Sequence, residues 1–448
     1  MKIHFISIGG AIMHQLAIAL HNKGFRVTGS DDEIFDPSKS KLKKFGLLPT
    51  NFGWFESNIT EDLDAIILGM HAKADNPELI KAKALGLNIY SFPEYIYEQS
   101  KNKKRVVIAG SHGKTTITSM VMHALQANNI DFDYLVGSSV NGFDYSVKLS
   151  DAPIIVIEGD EYLSSALQPI PKFHFYKPHI ALISGVAWDH INVFPTLEIY
   201  HQAFKTFIEH IGEKNYLTYC DEDEALQKIA SEKTEEIEAY QLPKYNIENH
   251  QVTINSNERQ YPISVFGKHN LLNLEGAKNV CLRLGLTEHQ FYTSIGSFTG
   301  AGKRLEKIKE TEKTVLYRDF AHAPSKVSAT VKAVRELYPN KKLICVLELH
   351  TYSSLNQQFI KQYQGSLNDA DVCALFYDEH SFKIKRLPLL DKQEVFNDFA
   401  KEDLKVFTTK TELESFFKTA TFNNSVVLIM SSGKLGGIQF NDIINFVF

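Results

Sequence analysis

The sequence contains no uninterrupted apolar run approaching the roughly 18 residues that cross a bilayer, so no membrane association is expected. Its opening, MKIHFISIGG, lacks the long apolar segment and small-residue cleavage site of a secretory signal, and a cytoplasmic location is expected. Basic residues are not in excess. With 48 Lys and Arg against 53 Asp and Glu the formal net charge is −5, which leaves no electrostatic footprint for a nucleic acid. Cysteine is scarce: Cys220, Cys281, Cys345 and Cys373 are scattered with no CxxC pair, as expected of ordinary buried thiols in a reducing compartment. Internal repeats and low-complexity tracts are absent as well.

What is present is a chain of 448 residues, too long for one ordinary core, in which short apolar strands alternate with helix-like stretches. That alternation predicts an α/β architecture of mostly parallel sheets covered by helices, with ligands gathered beyond the carboxyl ends of the strands. Three segments separate by pattern. The first carries strands at Ile3 to Ile8, Val27 to Gly29 and Ala65 to Leu68, and runs out in the charged link QSKNKKR at 99–105. The second begins at Val106 and has further strands at Ile154 to Ile157 and Ile180 to Ser184; from Asn215 to about Pro262 it is polar, rich in Glu and without a clear pattern. The third begins after GAGKRLEKIKE (300–310) and has strands at Val315 to Tyr317, Leu343 to Leu347, Val372 to Phe376 and Val426 to Met430.

The stretch AGSHGKTT at 109–116 joins the apolar Val106-Val107-Ile108 to the helical ITSMVMHAL and reads as a phosphate loop. Gly110 and Gly113 let the backbone turn tightly, and the free N–H groups and dipole of the helix that follows favour an anion. Lys114 adds a point charge for the β- and γ-phosphates, and the Thr115 hydroxyl can ligate Mg²⁺. Gly110, Ser111, His112, Gly113, Lys114, Thr115 and Thr116 are therefore the candidate nucleotide-binding residues. The usual pattern places its first glycine where Ile108 stands here, so a generic motif search would pass over the loop.

Other constellations lie at strand ends. Glu158, in EGDEY after IIVI, is a natural hard-oxygen ligand for Mg²⁺, and His190, in WDH after ALISGV, comes from the same edge. Asn270 and Asn273, in FGKHNLLN, share one face of a helix start and suit an adenine edge. Arg304 can close onto a transferred phosphate as a fork of donors. Asp319, in YRDFAHAPSK, is placed to accept from ribose hydroxyls, with His322 in the same turn. The amino-terminal SIGGAI is a degraded dinucleotide fingerprint in which Ser7 and Ile12 stand for two of the glycines, which argues against NAD but leaves a diphosphate site at Gly9, Gly10 and Ala11. Ser30 and Asp31, in TGSDD, end the second strand where such folds contact ribose.

In order and spacing these motifs resemble the Mur ligase family of bacterial cell-wall synthesis over essentially the whole chain. The resemblance rests on GSHGKTT, EGDE, the Asp189-His190 pair, GKHNLLN, Lys303-Arg304 and DFAHAP. It implies three domains: a Rossmann-like domain for the UDP-sugar substrate (1–103), a central P-loop-type ATPase domain (104–306), and a Rossmann-like domain that closes over ATP and the amine (307–448). It also implies ATP-dependent amide formation with Mg²⁺, giving ADP and phosphate; Lys114, Arg304 and His190 would be the catalytic groups. The UDP-sugar substrate would be UDP-N-acetylmuramate.

Within the family, VTGSDDEIFDPSKS, DNPELI, KFHFY, WDHINVF and MSSGKLGGI resemble the recycling branch, whose acceptor is a murein tripeptide, more than the branch that adds L-alanine. His322, His350 and Tyr352 would then face the acceptor. LSSALQPIP, Ala323 and ELHTYSS depart from the recycling pattern, the last by lacking an arginine. The resemblance leaves open whether a lysine such as Lys205 is carbamylated, and a monomer or weak homo-oligomer is expected. A nucleotide-binding regulator on the same fold is the non-enzymatic alternative.

Overall fold

β1 (Lys2–Ile6), β2 (Arg26–Ser30), β3 (Ala65–Leu68) and β4 (Ile89–Ser91) form a parallel sheet in the order β2-β1-β3-β4. Every residue of β3 is buried, as a strand covered on both faces requires. A second sheet comprises β5 (Lys104–Ala109), β6 (Asp133–Leu135), β7 (Val147–Lys148), β8 (Ile154–Glu158), β9 (Ile180–Ile183), β10 (Tyr216–Cys220) and β11 (Ile237–Tyr240). Its order is β11-β10-β9-β5-β8-β6-β7, parallel except for the edge strand β7. The computed structural model describes every residue except 71, 189–192, 234 and 301–303. Both sheets belong to one compact unit, Met1–Leu242 with Leu272–Ile295.

The second unit, Pro243–Leu271 with Gly296–Phe448, holds the other two sheets. A small antiparallel meander runs through β12 (Tyr245–Glu248), β13 (Gln251–Ser256) and β14 (Arg259–Ile263). The larger sheet contains β15 (Glu306–Glu310), β16 (Thr314–Asp319), β17 (Lys342–Glu348), β18 (Val372–Phe376), β19 (Leu404–Phe407) and β20 (Ser425–Met430), ordered β15-β16-β20-β17-β18-β19. Only β15 is antiparallel. Leu316, Val346, Phe376 and Val427 on this sheet pack with Phe416, Phe417 and Ile443 from the helices beneath it. All four cysteines are buried and unpaired, and burial pushes the Cys345 thiol well up.

Two regions differ from the sequence reading. The patternless stretch from Asn215 completes the second sheet through β10 and β11 and then builds the meander. The charged link at 99–105 is no solvated linker: Gln99 and Ser100 end the helix Phe92–Ser100, and Lys103 and Arg105 are buried. Arg105 Nε donates to the carbonyls of Tyr176 at 2.9 Å and Lys177 at 3.0 Å, and Nη1 donates to those of Ser100 at 2.8 Å and Lys101 at 3.2 Å. Lys103 Nζ reaches Asp133 at 2.8 Å and donates to the Ala152 carbonyl at 2.6 Å. These cations are buried because each long side chain finds acceptors at its end. Arg105 thereby ties the last helix of the first domain to the loop before β9.

Substituting Arg105→Met keeps the apolar stem but strands several buried carbonyls, so a loss of about 2–4 kcal/mol is expected. A shift of the urea midpoint of this unit with an unchanged slope checks it.

Candidate functional site

Parallel pairing sets Ile108 beside Glu158 and Ala109 beside Ile183, so β8, β5 and β9 end at one level. The loop after β5 turns there. Gly110 has φ +126°, and a Cβ on it would lie 2.8 Å from the Ser184 backbone nitrogen, so no other residue fits without moving β9. Gly113 has φ +80°, and a Cβ there would come within 2.2 Å of Asn273 Oδ1. The helix Lys114–Ala127 starts immediately after.

The loop is braced from outside. Ser111 donates its backbone N–H to the Gly185 carbonyl at 2.9 Å, and its hydroxyl accepts from Ala187 N at 3.1 Å. The Ser184 hydroxyl donates to the His112 carbonyl. Thr116 is buried.

Thr115 Oγ1 donates to Glu158 Oε1 at 2.8 Å, and the other oxygen of Glu158 accepts from Gly137 N at 2.9 Å. Burial pushes the Glu158 carboxyl up, against the Gly137 N–H, the Lys114 charge and the Thr115 hydroxyl. Two hard oxygens on neighbouring elements suit Mg²⁺, which takes few protein ligands and completes its shell with phosphate and water. No group of three His, Cys, Asp or Glu that could hold a metal occurs among the described residues. His190, the other expected ligand, lies outside the described residues.

Lys114 Nζ donates to Glu161 Oε2 at 2.7 Å and to the Gly110 carbonyl at 2.5 Å. Burial opposes its charge, but Glu161, with Asp160 and Glu158 nearby, holds the ammonium above its ordinary value. Glu161 was not singled out from sequence. It stands three residues after Glu158 in the same motif, which was the available signal. Asp160 pairs with Lys172 at 2.6 Å. Lys205 pairs with Glu232 at 2.6 Å and is 38% exposed on the side chain.

Asn273 lies against the phosphate loop, whereas Asn270 Nδ2 donates to the Phe266 carbonyl at 3.2 Å. In the second unit, Asp319 is buried, with Oδ2 accepting from Leu305 N and Oδ1 from Ala321 N, both at 2.6 Å. One oxygen thus serves the turn of Asp319 itself and the other the backbone of Leu305, 14 residues earlier. Arg304 stacks over Phe320 with its guanidinium 5.0 Å from the ring centre, and burial with the nearby Arg304 charge lowers His269 to about 4. His322 Nδ1 lies 2.8 Å from the Phe320 carbonyl. His350 Nδ1 is 3.2 Å from Ser381 Oγ, and Tyr352 is exposed. Glu348, also missed, is buried and accepts from Leu435 N at 2.9 Å and from Ser431 Oγ.

At the amino-terminal turn, Gly9 N donates to Asp31 Oδ2 at 2.7 Å, and burial raises the Asp31 carboxyl to about 6. Gly10 accepts at its carbonyl from the helix that follows, and Ala11 is exposed. Ser30 donates its hydroxyl to the fully buried Glu78 at 2.6 Å.

Family descriptions match three consecutive stretches: the Mur ligase family catalytic domain over residues 2–104, the Mur ligase middle domain over 108–281, and the Mur ligase glutamate ligase domain over 303–433. A UDP-N-acetylmuramate–L-alanine ligase from Clostridium botulinum (strain Langeland) is 31% identical over 365 residues, 78% of this chain and 77% of the relative. One from Clostridium kluyveri is 29% identical over 384 residues, 83% and 82% of the two chains. Among solved structures, a murein peptide ligase from Psychrobacter arcticus superposes with a TM-score of 0.62 at 21% identity, covering 100% of this chain and 99% of that one. The UDP-N-acetylmuramate-alanine ligase of Thermotoga maritima gives 0.71 at 20% identity, covering 100% and 98%. With the phosphate loop, its acidic partner and the three domains in family order, the chain belongs to the Mur ligase family of ATP-dependent, amide-forming ligases.

Proposed function

We propose that the chain is a UDP-N-acetylmuramate:L-alanyl-γ-D-glutamyl-meso-diaminopimelate ligase of peptidoglycan recycling. The observation that carries this reading is the set of recycling-type signatures spread along the whole chain. One of them, KFHFY, forms a turn whose Phe173 stacks on Phe207, 4.7 Å between ring centres, beside the acidic motif. The names of the curated relatives favour a second reading, the biosynthetic L-alanine ligase.

In either reading the muramate lactyl carboxylate attacks the γ-phosphorus of ATP and ADP leaves. The amine then attacks the acyl phosphate, forming the C–N bond and expelling phosphate. No enzyme nucleophile is required, so the chain's contribution is positioning and charge. Thr115 and Glu158, with His190, would hold Mg²⁺, which would supply positive charge to offset that of the phosphates. Lys114 faces the same phosphates, Asn273 supports the loop, and Arg304 keeps its assignment to the transferred group. Gly9, Gly10 and Asp31 serve the UDP moiety, and His322, His350 and Tyr352 the acceptor, with the domains divided at 103 and 306 as the motifs suggest.

Phosphate release with UDP-N-acetylmuramate tests the choice of acceptor. The tripeptide is expected to give a kcat/KM at least about tenfold above L-alanine, because its distal residues supply binding energy that orients the amine. A higher value with L-alanine makes this the biosynthetic enzyme, and no release with either acceptor favours the regulator.

Lys114→Ala is expected to lower turnover on the order of a hundredfold or more. It also strands the buried Glu161 carboxylate and lowers Tm. The double variant Lys114→Ala with Glu161→Gln should regain Tm without regaining turnover, which separates the lost charge from a lost fold.

A further inference from the structure

We infer that Glu161, locked by Tyr200, is a positioning residue that fixes the ammonium of Lys114 where the phosphoryl group transfers. The inference rests on the phosphate-loop reading above. Glu161 is fully buried: Oε2 accepts from Lys114 Nζ at 2.7 Å, and Oε1 from the Tyr200 hydroxyl at 3.3 Å. Tyr200 comes from the helix Leu197–Glu209, far along the chain, and is itself fully buried. Its ring lies edge-on to Phe194 and Phe204, with centres 5.1 and 5.2 Å away, and Phe204 packs in turn on Phe173. An aromatic stack therefore holds a hydroxyl, the hydroxyl holds a carboxylate, and the carboxylate holds the lysine.

The need for such a chain follows from the chemistry of lysine. Its ammonium sits on a flexible stem with freely turning donors, and a transition state gains most from charge that is in place before the reaction. The Gly110 carbonyl gives Lys114 one fixed partner at 2.5 Å, and Glu161 gives the second. Glu161 also balances the lysine against the incoming polyanion, so removing its charge should not weaken ground-state attraction for ATP. The loss should appear in the chemical step.

The test compares Glu161→Gln, Glu161→Asp and Tyr200→Phe with the wild-type protein at one fixed pH. MgATP affinity is measured by calorimetry, turnover by phosphate release and folding by Tm. Glu161→Gln is expected to lower kcat about tenfold or more while the MgATP Kd stays within about threefold or tightens. Glu161→Asp, which restores the charge, should recover part of kcat. Tyr200→Phe removes a single oxygen and carries the test if Glu161→Gln does not fold; it should lower kcat a few-fold with the same unchanged Kd. The inference is overturned if these variants keep kcat within about twofold, or if kcat and MgATP affinity deteriorate together. A wild-type protein that binds no MgATP overturns this and the proposed function alike. A wild-type enzyme that turns over, beside variants that match it, overturns this alone.

Discussion

The parallel register of β8, β5 and β9 is the constraint from which the phosphate site follows. Because Ile108 pairs with Glu158 and Ala109 with Ile183, the acidic motif, the glycine loop and the Ser184–Ala187 segment emerge side by side. Gly110 then presses so closely on Ser184 that only a residue without Cβ, free to adopt φ +126°, can make the turn. The helix behind the loop is anchored by Ile117, Met120 and Val121, each fully buried, so its start is held by a core rather than by its own propensity.

Charge in this site is arranged unequally. Asp160 has Lys172 and Glu161 has Lys114, each as an ion pair. Glu158 is held instead by a hydroxyl and a backbone N–H, and burial drives its carboxyl above the ordinary range. A divalent cation would reverse that shift by favouring the carboxylate. The acid with the least compensated charge is therefore the one that accepts from the Thr115 hydroxyl.

Where periodicity and burial agree, the fold was legible: β3 and β18 fall on the expected Ala65–Leu68 and Val372–Phe376, because buried parallel strands read as continuous apolar runs. The meander was not legible, since β12 carries YNIE with no buried residue and has no apolar run to announce it. Arg105 and Lys103 gave no sign of burial, as no sequence pattern displays their partners, carbonyls for both and Asp133 besides for Lys103. Within the site, Lys114, Thr115 and Glu158 were visible because motif spacing fixes them. Tyr200 was invisible because its link to Glu161 spans 39 residues. Asp319 and Ser30 have partners that no motif displays, the backbone of Leu305 and Ala321 for one and Glu78 for the other.

The end of β17 is organised by a buried acid. Glu348 uses one oxygen on Leu435 N and the other on Ser431, tying the loop after β20 to the end of β17. A Cβ on Gly433 would sit 2.7 Å from both Glu348 Oε2 and the His350 ring, so that loop packs directly against the histidine. With both oxygens of Glu348 engaged, this carboxylate shapes the loop. HTYSS that follows has no arginine, so no bidentate fork stands there for a distal carboxylate. On the proposed reading, selectivity for a peptide over a free amino acid would come from contacts spread along the acceptor. Such contacts favour length more strongly than they fix the identity of any one residue.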